Sequence, residues 1–401
     1  MSKLKNVSSY VTEKIPSENI NLENYVTTDS LLPNRNGRVR ATNLPSQKIN
    51  KFRIGDILLS NIRPYLKKIW FANIEGGCSS DVLIIRPGEQ INNKFLYYII
   101  SQDSFFTHMM SGSKGTKMPR GDKSQIMNFK IPDIDFDAQD RIGNLLANLD
   151  QKIALNNQIN EELEAMAKTL YDYWFVQFDF PDENGKPYKS SGGKMVYNDQ
   201  LKREIPEGWG VKRLGEICNP TSGYPFASNT YVQDGKFKIY TIKNVQDNGI
   251  LPITDNTLDT LPANLPEKCI LGPGDMLMSL TGNVGRVGIV FEDNALLNQR
   301  VLKIESKYKA FIFQFLKDPR TRSLLENTAT GTSQKNLSPK DVMDISIIFP
   351  GFNVLIEFEQ ISNEILLQIT SNNQQNQELT QLRDWLLPML MNGQARVEDK
   401  T

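Results

Sequence analysis

The chain of 401 residues holds a single histidine, His108, and only three cysteines, Cys78, Cys218 and Cys269, set far apart. Neither a disulfide framework nor a zinc site of ordinary ligand spacing can be assembled from them. Acid–base schemes that need paired imidazoles are excluded as well. Nowhere do about 18 uncharged apolar residues stand together, and the opening stretch MSKLKNVSSY has no apolar run. Membrane spanning and secretion are therefore disfavoured, and a cytoplasmic location is expected. There is no Pro-Pro dipeptide, so the N/D-P-P-aromatic motif of amino-methyltransferases is missing. The fragment PDENGK brings acids near a lysine, but Glu183 and Lys186 stand one residue too far apart for the acid-x-Lys element of nucleases. The expectation is a binder without catalytic residues, metal or cofactor of its own.

What is present begins with an uneven charge. The formal net charge is zero, yet residues 1–136 carry 19 Lys and Arg against 12 Asp and Glu, and residues 137–179 carry 3 against 8. Between Arg35 and Lys68 nine basic residues accompany one acid, Asp56. Such clustering is the electrostatic footprint of a polyanion binder.

An internal repeat organises the rest. Shifted by 219 positions, GDILLS at residues 55–60 falls on GDMLMS at 274–279, and Val82, Leu83 and Ile85 fall on Val301, Leu302 and Ile304. Lys67 falls on Arg286. A one-residue slip then aligns Pro132 with Pro350, and after each proline a long segment has heptad periodicity. The first seam reads Ile142, Leu146, Leu149, Ile153, Asn156, Asn160, Leu163, Ala167, Leu170. The second, at the same shift, reads Ile361, Ile365, Gln368, Asn372, Gln375, Leu379, Leu382, Leu386, Met389. Sustained 4,3 spacing predicts two long helices paired as a coiled coil, with central amides fixing register. A rod starting at Ala138 would be roughly 58 Å long. The expected order is a globular domain over 1–137, a helix over 138–179, a surface linker over 180–205, a second domain over 206–352, a helix over 353–393 and a tail over 394–401. Short apolar runs such as DVLIIR and DISIIF, beside helical NKFLYYIISQ and KAFIFQFLKD, make the globular parts α+β.

The stretch GPGDMLMSLTGNVGRVGIV, residues 272–290, suggests a phosphate cradle, but its glycines are spaced G-x-x-G-x-x-G, and its twin GDILLSNIRPYLKKI lacks them. The twins instead share a Gly-Asp turn and an apolar strand, followed by unlike loops that each carry a basic residue. A second unlike pair is GSKGTKMPRGDK (112–123) and GTSQKNLSPKD (331–341), rich in side chains that reach phosphates and base edges.

Together with CSSDVLIIRP, MPRGDKSQIMNFKIP, LYDYWFVQFDFP, GKPYKSSGGKMV, IPEGWGVKRLGEI, LTGNVGRVG and LRDWLLPMLMNGQ, these segments resemble, from end to end, the specificity subunits of Type I restriction-modification systems. The resemblance implies two target-recognition domains separated by an antiparallel coiled coil, each reading half of a bipartite, asymmetric site on double-stranded DNA. It implies two modification (methyltransferase) subunits as partners, joined by restriction subunits in the full complex. S-adenosylmethionine, ATP and magnesium would belong to those partners. Candidate DNA-contacting residues are Arg63, Lys67, Lys114, Lys117, Arg120 and Lys123 in the first domain. In the second they are Tyr224, Thr281, Asn283, Arg286, Gln334, Lys335 and Asn336. The first domain lacks the Trp-containing opening segment of the second, so its edge is expected to be built differently. A scaffold that binds other proteins is the alternative reading, prompted by the weak charge of the second domain and the polar seam.

Overall fold

Each copy of the Gly-Asp-apolar stretch becomes the inner strand of a four-stranded antiparallel sheet, and the repeat preserves the pairing. In the computed structural model, which describes residues 1–44, 48–113, 117–247, 249–331 and 334–397, Ile57–Ser60 pairs with Val82–Pro87 through Ile57↔Ile85 to Ser60↔Val82. Met276–Ser279 pairs with Val301–Glu305 through Met276↔Ile304 to Ser279↔Val301. All four partners differ by 219. Ser8–Tyr10 and Ile69–Phe71 flank the first pair, and Asn219–Ser222 and Val287–Ile289 flank the second.

The chain divides into two units, Met1–Ile153 with Glu378–Thr401, and Ala154–Gln377. In the first unit, Ile57, Leu59, Leu83 and Ile85 pack on Phe95, Leu96 and Ile99 of the helix Asn93–Ile100, while Leu58 and Ile84 on the opposite face meet Val26, Trp70 and Cys78. Burial on both faces explains why these strands read as unbroken apolar runs. In the second unit Met276, Met278, Leu302 and Ile304 join Phe311 and Leu316 of the helix Lys309–Lys317, and Leu277 and Val301 join Tyr240 and Leu297. The Gly-Asp turn has a local cause in both. Gly55 and Gly274 have φ of +88° and +91°, which a side chain disfavours. The Asp56 carboxylate accepts from Arg53 N at 2.8 Å and is gripped by Arg86 through two 2.7 Å bonds. Asp275 accepts from Gly272 N at 3.0 Å and pairs with Lys303 at 3.0 Å.

The long helices are Phe136–Tyr171 and Phe352–Met391. Asp135 opens the first by accepting from Ala138 N at 2.9 Å, as an N-terminal capping residue does. They run antiparallel within each unit. In the second unit Asn156 Nδ2 donates to Gln375 and Asn376, and Asn160 Nδ2 donates to Asn373 Oδ1 at 3.0 Å. Asn372 Nδ2 donates back to Asn160 Oδ1 at 2.8 Å. In the first unit Arg383 meets Asp150 at 2.7 Å, and Tyr98 donates to the same carboxylate at 2.6 Å.

Every seam position expected of the first helix is buried or half-buried. The second helix corrects half of its list. Ile365, Asn372, Leu379 and Leu386 face inward as expected, but Gln368 and Gln375 are exposed, as are Ile361 and Leu382 (48% and 42%), while Ser362 and Leu390 are buried (1% and 2%). One of the two heptad positions therefore lies one residue later than the repeat implies, at Ser362, Arg383 and Leu390, leaving Met389 half-buried beside it. The shift of 219 carries over the phase of the first helix, whereas each helix must present the side chains that meet its antiparallel partner.

The central amides make a testable case. Asn160→Leu alone is expected to cost about 1–3 kcal/mol, because it leaves the buried Asn372 amide without its partner. Asn160→Leu with Asn372→Leu should recover most of that loss, read by hydrogen exchange of amides in the second unit.

Residues 180–205 are not a loose connector. Phe180 and Ile205 are buried in the second unit's core, and Met195–Asn198 pairs with Arg203–Pro206 as a hairpin. The last turn of the first long helix widens over Asp172–Val176, feeding Trp174 and Phe175 into the same aromatic cluster as Trp209. The domain edges share one pairing at different lengths, two residues for Ser2–Lys3 with Lys130–Ile131 and four for Gly210–Arg213 with Ser346–Phe349. Beyond the second long helix, Val397 O accepts from Arg141 Nε at 3.0 Å, so the described part of the tail docks on the first unit.

Candidate nucleic-acid interface

The two loops singled out in each repeat, far apart in sequence, meet in space. In the first unit the hairpin loop 61–68 is stitched to the 117–122 segment by Arg63 N–H to Pro119 O (2.9 Å) and Gly121 N–H to Asn61 O (3.2 Å). In the second, Gly282 N–H donates to Lys335 O (2.9 Å) and Leu337 N–H to Leu280 O (2.8 Å). A third segment joins each pair at matching places, through Asn61 N–H to Asp81 O (2.8 Å) and Leu280 N–H to Arg300 O (3.0 Å). Each unit thus has a three-loop face with the same backbone wiring and different side chains.

This wiring explains the glycines of residues 272–290. Gly282 and Gly285 have φ of +73° and +76°, so they serve a left-handed turn. Gly288 lets the 245–250 hairpin approach, since a Cβ there would lie 2.9 Å from Gly249 C. In the first unit the same left-handed turn is made without glycine, by Arg63 (φ 51°) and Lys67 (φ 52°). Such conformations cost a non-glycine residue about 1 kcal/mol and persist where something else requires the side chain.

The candidate residues fall into two groups. Arg63, Lys117, Arg120 and Lys123 are exposed in the first unit, as are Asn283, Gln334, Lys335 and Asn336 in the second. Arg120 also pairs with Asp81 at 3.1 Å, Lys123 lies 5.9 Å from the Tyr10 ring centre, and Lys335 Nζ donates to Glu326 O at 2.8 Å. Thr281 is half-buried and its hydroxyl donates to Asn336 Oδ1 at 3.0 Å. Lys114 lies outside the described residues. Lys67, Arg286 and Tyr224 are engaged internally. Lys67 Nζ binds Asp103 at 2.8 Å, beside Arg35 on the same carboxylate. Arg286 grips Asp247 through Nε (3.1 Å) and Nη2 (2.9 Å). The Tyr224 hydroxyl donates to Asn264 at 2.7 Å while its ring packs on Phe226. Because the second hairpin loop is one residue shorter, Arg286 stands in the register of Lys68 rather than Lys67, each carbonyl accepting from the last serine of the strand.

The basic run from Arg35 to Lys68 does not form one free patch. Arg40 pairs with Glu23 and Arg53 with Glu13, and Lys68 donates to Thr28 O. Conversely, Gln299 and Arg300 are exposed on the second face and were not selected from the sequence. A signal existed: directly before the matched Val82 and Val301, the repeat exchanges Asp81 for Arg300.

Burial pushes the Cys78 thiol up to about 12 and Cys218 up to about 11, which removes the reactive thiolate. Asp182 of PDENGK accepts from the backbone of Asn184 and Lys186, both at 2.8 Å, as a turn residue. His108 Nε2 lies 2.8 Å from Gln125 O and its ring packs on Phe129. No helix among the described residues is long and apolar enough to cross a membrane.

Comparison with known proteins agrees with this duplicated architecture. The family model described as the Type I restriction modification DNA specificity domain matches residues 1–165 and again 206–381. The specificity subunit of the Type I restriction enzyme HindI of Haemophilus influenzae is 25% identical, over 92% of this chain and 94% of its own length. That of the enzyme MjaIX of Methanocaldococcus jannaschii is 27% identical, over 79% and 72%. The fold is that of the crystal structure of a Type I restriction-modification S subunit from M. genitalium, with a TM-score of 0.59 at 16% identity, covering 100% of this chain and 96% of that one.

Proposed function

Because the chain belongs to the Type I restriction-modification DNA specificity family, we propose that its two three-loop faces each read one half of a bipartite, asymmetric sequence on double-stranded DNA. The observation that carries this reading is the identical backbone wiring of two faces whose exposed side chains differ. Successive major-groove faces of a duplex recur about every 34 Å, so two copies of one scaffold suit two half-sites on it. Unlike loops then demand unlike half-sites. Arg63 is suited to a guanine edge or a phosphate, and Asn283, Gln334, Asn336 and Gln299 to adenine edges.

The long helices set the distance between the half-sites and dock two methyltransferase subunits. S-adenosylmethionine is bound by those subunits, and ATP with magnesium serves the restriction subunits of the full complex. The specificity subunit itself performs no bond chemistry.

The test is single-molecule sequencing of adenine methylation in host DNA with the gene intact and deleted. Loss of one asymmetric bipartite motif on deletion supports the reading, and an unchanged methylome favours a protein-binding scaffold instead. In the complex with the methyltransferase subunits, Lys117→Ala is expected to weaken binding across sequences and lower the salt slope by about 1. That is checked by fluorescence anisotropy across a salt series.

A further inference from the structure

Behind each face lies a cluster of two cations around one acid, and the two clusters have exchanged polarity. Both draw on the same three elements, namely the hairpin loop, a second hairpin reaching over it, and the second of the two helices that follow the sheet. In the first unit the reaching hairpin is closed by Leu32 N–H to Gly37 O (2.9 Å) and Val39 N–H to Ser30 O (2.8 Å). Its tip carries Arg35, which binds Asp103 at the start of the helix Asp103–Ser111, and Lys67 of the loop completes the trio. In the second unit the hairpin Val245–Gln246 with Gly249–Ile250 carries Asp247. That acid binds Arg286 of the loop and, at 2.8 Å, Arg322 of the helix Pro319–Thr328. The two hairpins are equivalent, since each follows a strand, Tyr25–Val26 or Phe237–Tyr240, that runs parallel to its neighbour. A short side-chain turn comes next in both, Thr27 with Ser30 and Thr241 with Asn244. The loop supplies a cation in both, Lys67 in the first unit and Arg286, one register position later, in the second. Tip and helix have swapped sign.

We propose that these clusters are locks that position the reading loops, and that Arg35, Lys67 and Asp103 hold the geometry for the first half-site as Asp247, Arg286 and Arg322 hold it for the second. The inference rests on the reading of the faces as DNA half-site readers. Three features support it. The lock closes on the loop at its left-handed residues, where Arg35 (φ 64°) and Lys67 (φ 52°) are joined by Arg35 N–H to Lys67 O at 3.0 Å. The cations are the more buried members, with side chains 17–30% exposed against 56–66% for the acids. The first lock therefore needs Asp103 to compensate its half-desolvated cations, whereas in the second Arg322 is shared between Asp247 and Glu326, the latter at 3.0 Å. Exchanged polarity also prevents mixing. A cationic tip transplanted into the second unit would face Arg286 and Arg322, and an acidic tip in the first would face Asp103, like-charge contacts that oppose mismatched parts. Hairpin, loop and helix thus form one recognition cassette that changes specificity only as a set.

The experiment uses the complex with its methyltransferase subunits and sequences the methylated motif. Asp103→Arg should cut methylation at least about tenfold or blur the bases of the first half-site, leaving the second half-site sharp. Arg35→Asp combined with Asp103→Arg installs the polarity of the second unit and should return methylation to within about threefold of the parent. Asp103→Asn serves if the reversal does not fold. A double variant no better than the single, or an unaltered motif in Asp103→Arg or Asp103→Asn, overturns the lock. Arg63→Ala is the control that separates the two ideas. If Arg63→Ala abolishes first-half reading while the cluster variants leave it intact, only the lock fails. If Arg63→Ala also changes nothing, the assignment of the face to DNA fails with it.

Discussion

Arg63→Gly should separate stability from recognition, sparing or slightly raising the first while destroying much of the second. Arg63 holds φ of 51° where the repeat places Gly282 at +73°, and it is exposed. Glycine relieves the left-handed strain, which is worth about 1 kcal/mol, although it adds freedom to the unfolded chain that returns part of this gain. The folded protein should therefore be unchanged or more stable by up to about 1 kcal/mol. A bidentate arginine contact to a base is worth about 1–3 kcal/mol, so methylation of the first half-site should fall by roughly 5- to 150-fold. Hydrogen exchange of first-unit amides and motif sequencing of one variant check both signs. A variant that loses stability and keeps methylation would make Arg63 a structural residue.

The largest expected effect on stability lies elsewhere, at Phe358. Its ring is fully buried and packs against Phe175 at 4.8 Å, Trp174 at 5.9 Å, Tyr171 at 6.3 Å and Phe311 at 6.4 Å between centroids. Those partners come from the end of the first long helix and the helix Lys309–Lys317, so one side chain ties both to the second long helix. Phe358→Ala removes the transfer free energy of the ring and leaves a cavity that surrounding aromatics cannot fill, which costs about 3–5 kcal/mol. Phe352→Ala, six residues earlier on the same helix and 61% exposed, should stay within about 0.5 kcal/mol. Because the chain has two units, unfolding is best followed by hydrogen exchange of amides in the second unit rather than by one global transition.

Much of this architecture was legible beforehand. The strands at DVLIIR and DISIIF, the helices at NKFLYYIISQ and KAFIFQFLKD, and both long helices follow from periodicities that extend over neighbouring residues. The four-pair sheet register repeats at 219 because identical spacing of apolar and turn residues demands identical pairing. The Gly-Asp turns were equally visible, since a left-handed glycine before a capping acid is a local device. Less legible was the phase of the second helix, where Ile361 and Leu382 look inward by analogy yet face solvent. Apolar residues flank the seam on both sides there, so the pattern alone does not select between adjacent positions.

Sequence by itself determined the duplication, the α+β class, the paired long helices and the loops that differ between copies, all of which rest on near neighbours or on comparison of one copy with the other. Tertiary structure alone decided which cations remain available. Lys67 and Arg286 were selected with Arg63 and Lys117 as one kind of residue, but the first two are held by acids. Arg35 reaches Asp103 across 68 positions, and Asp247 is reached by Arg286 across 39 and by Arg322 across 75. Charge pairing depends on distance through space, and no periodicity in the chain encodes contacts of that span.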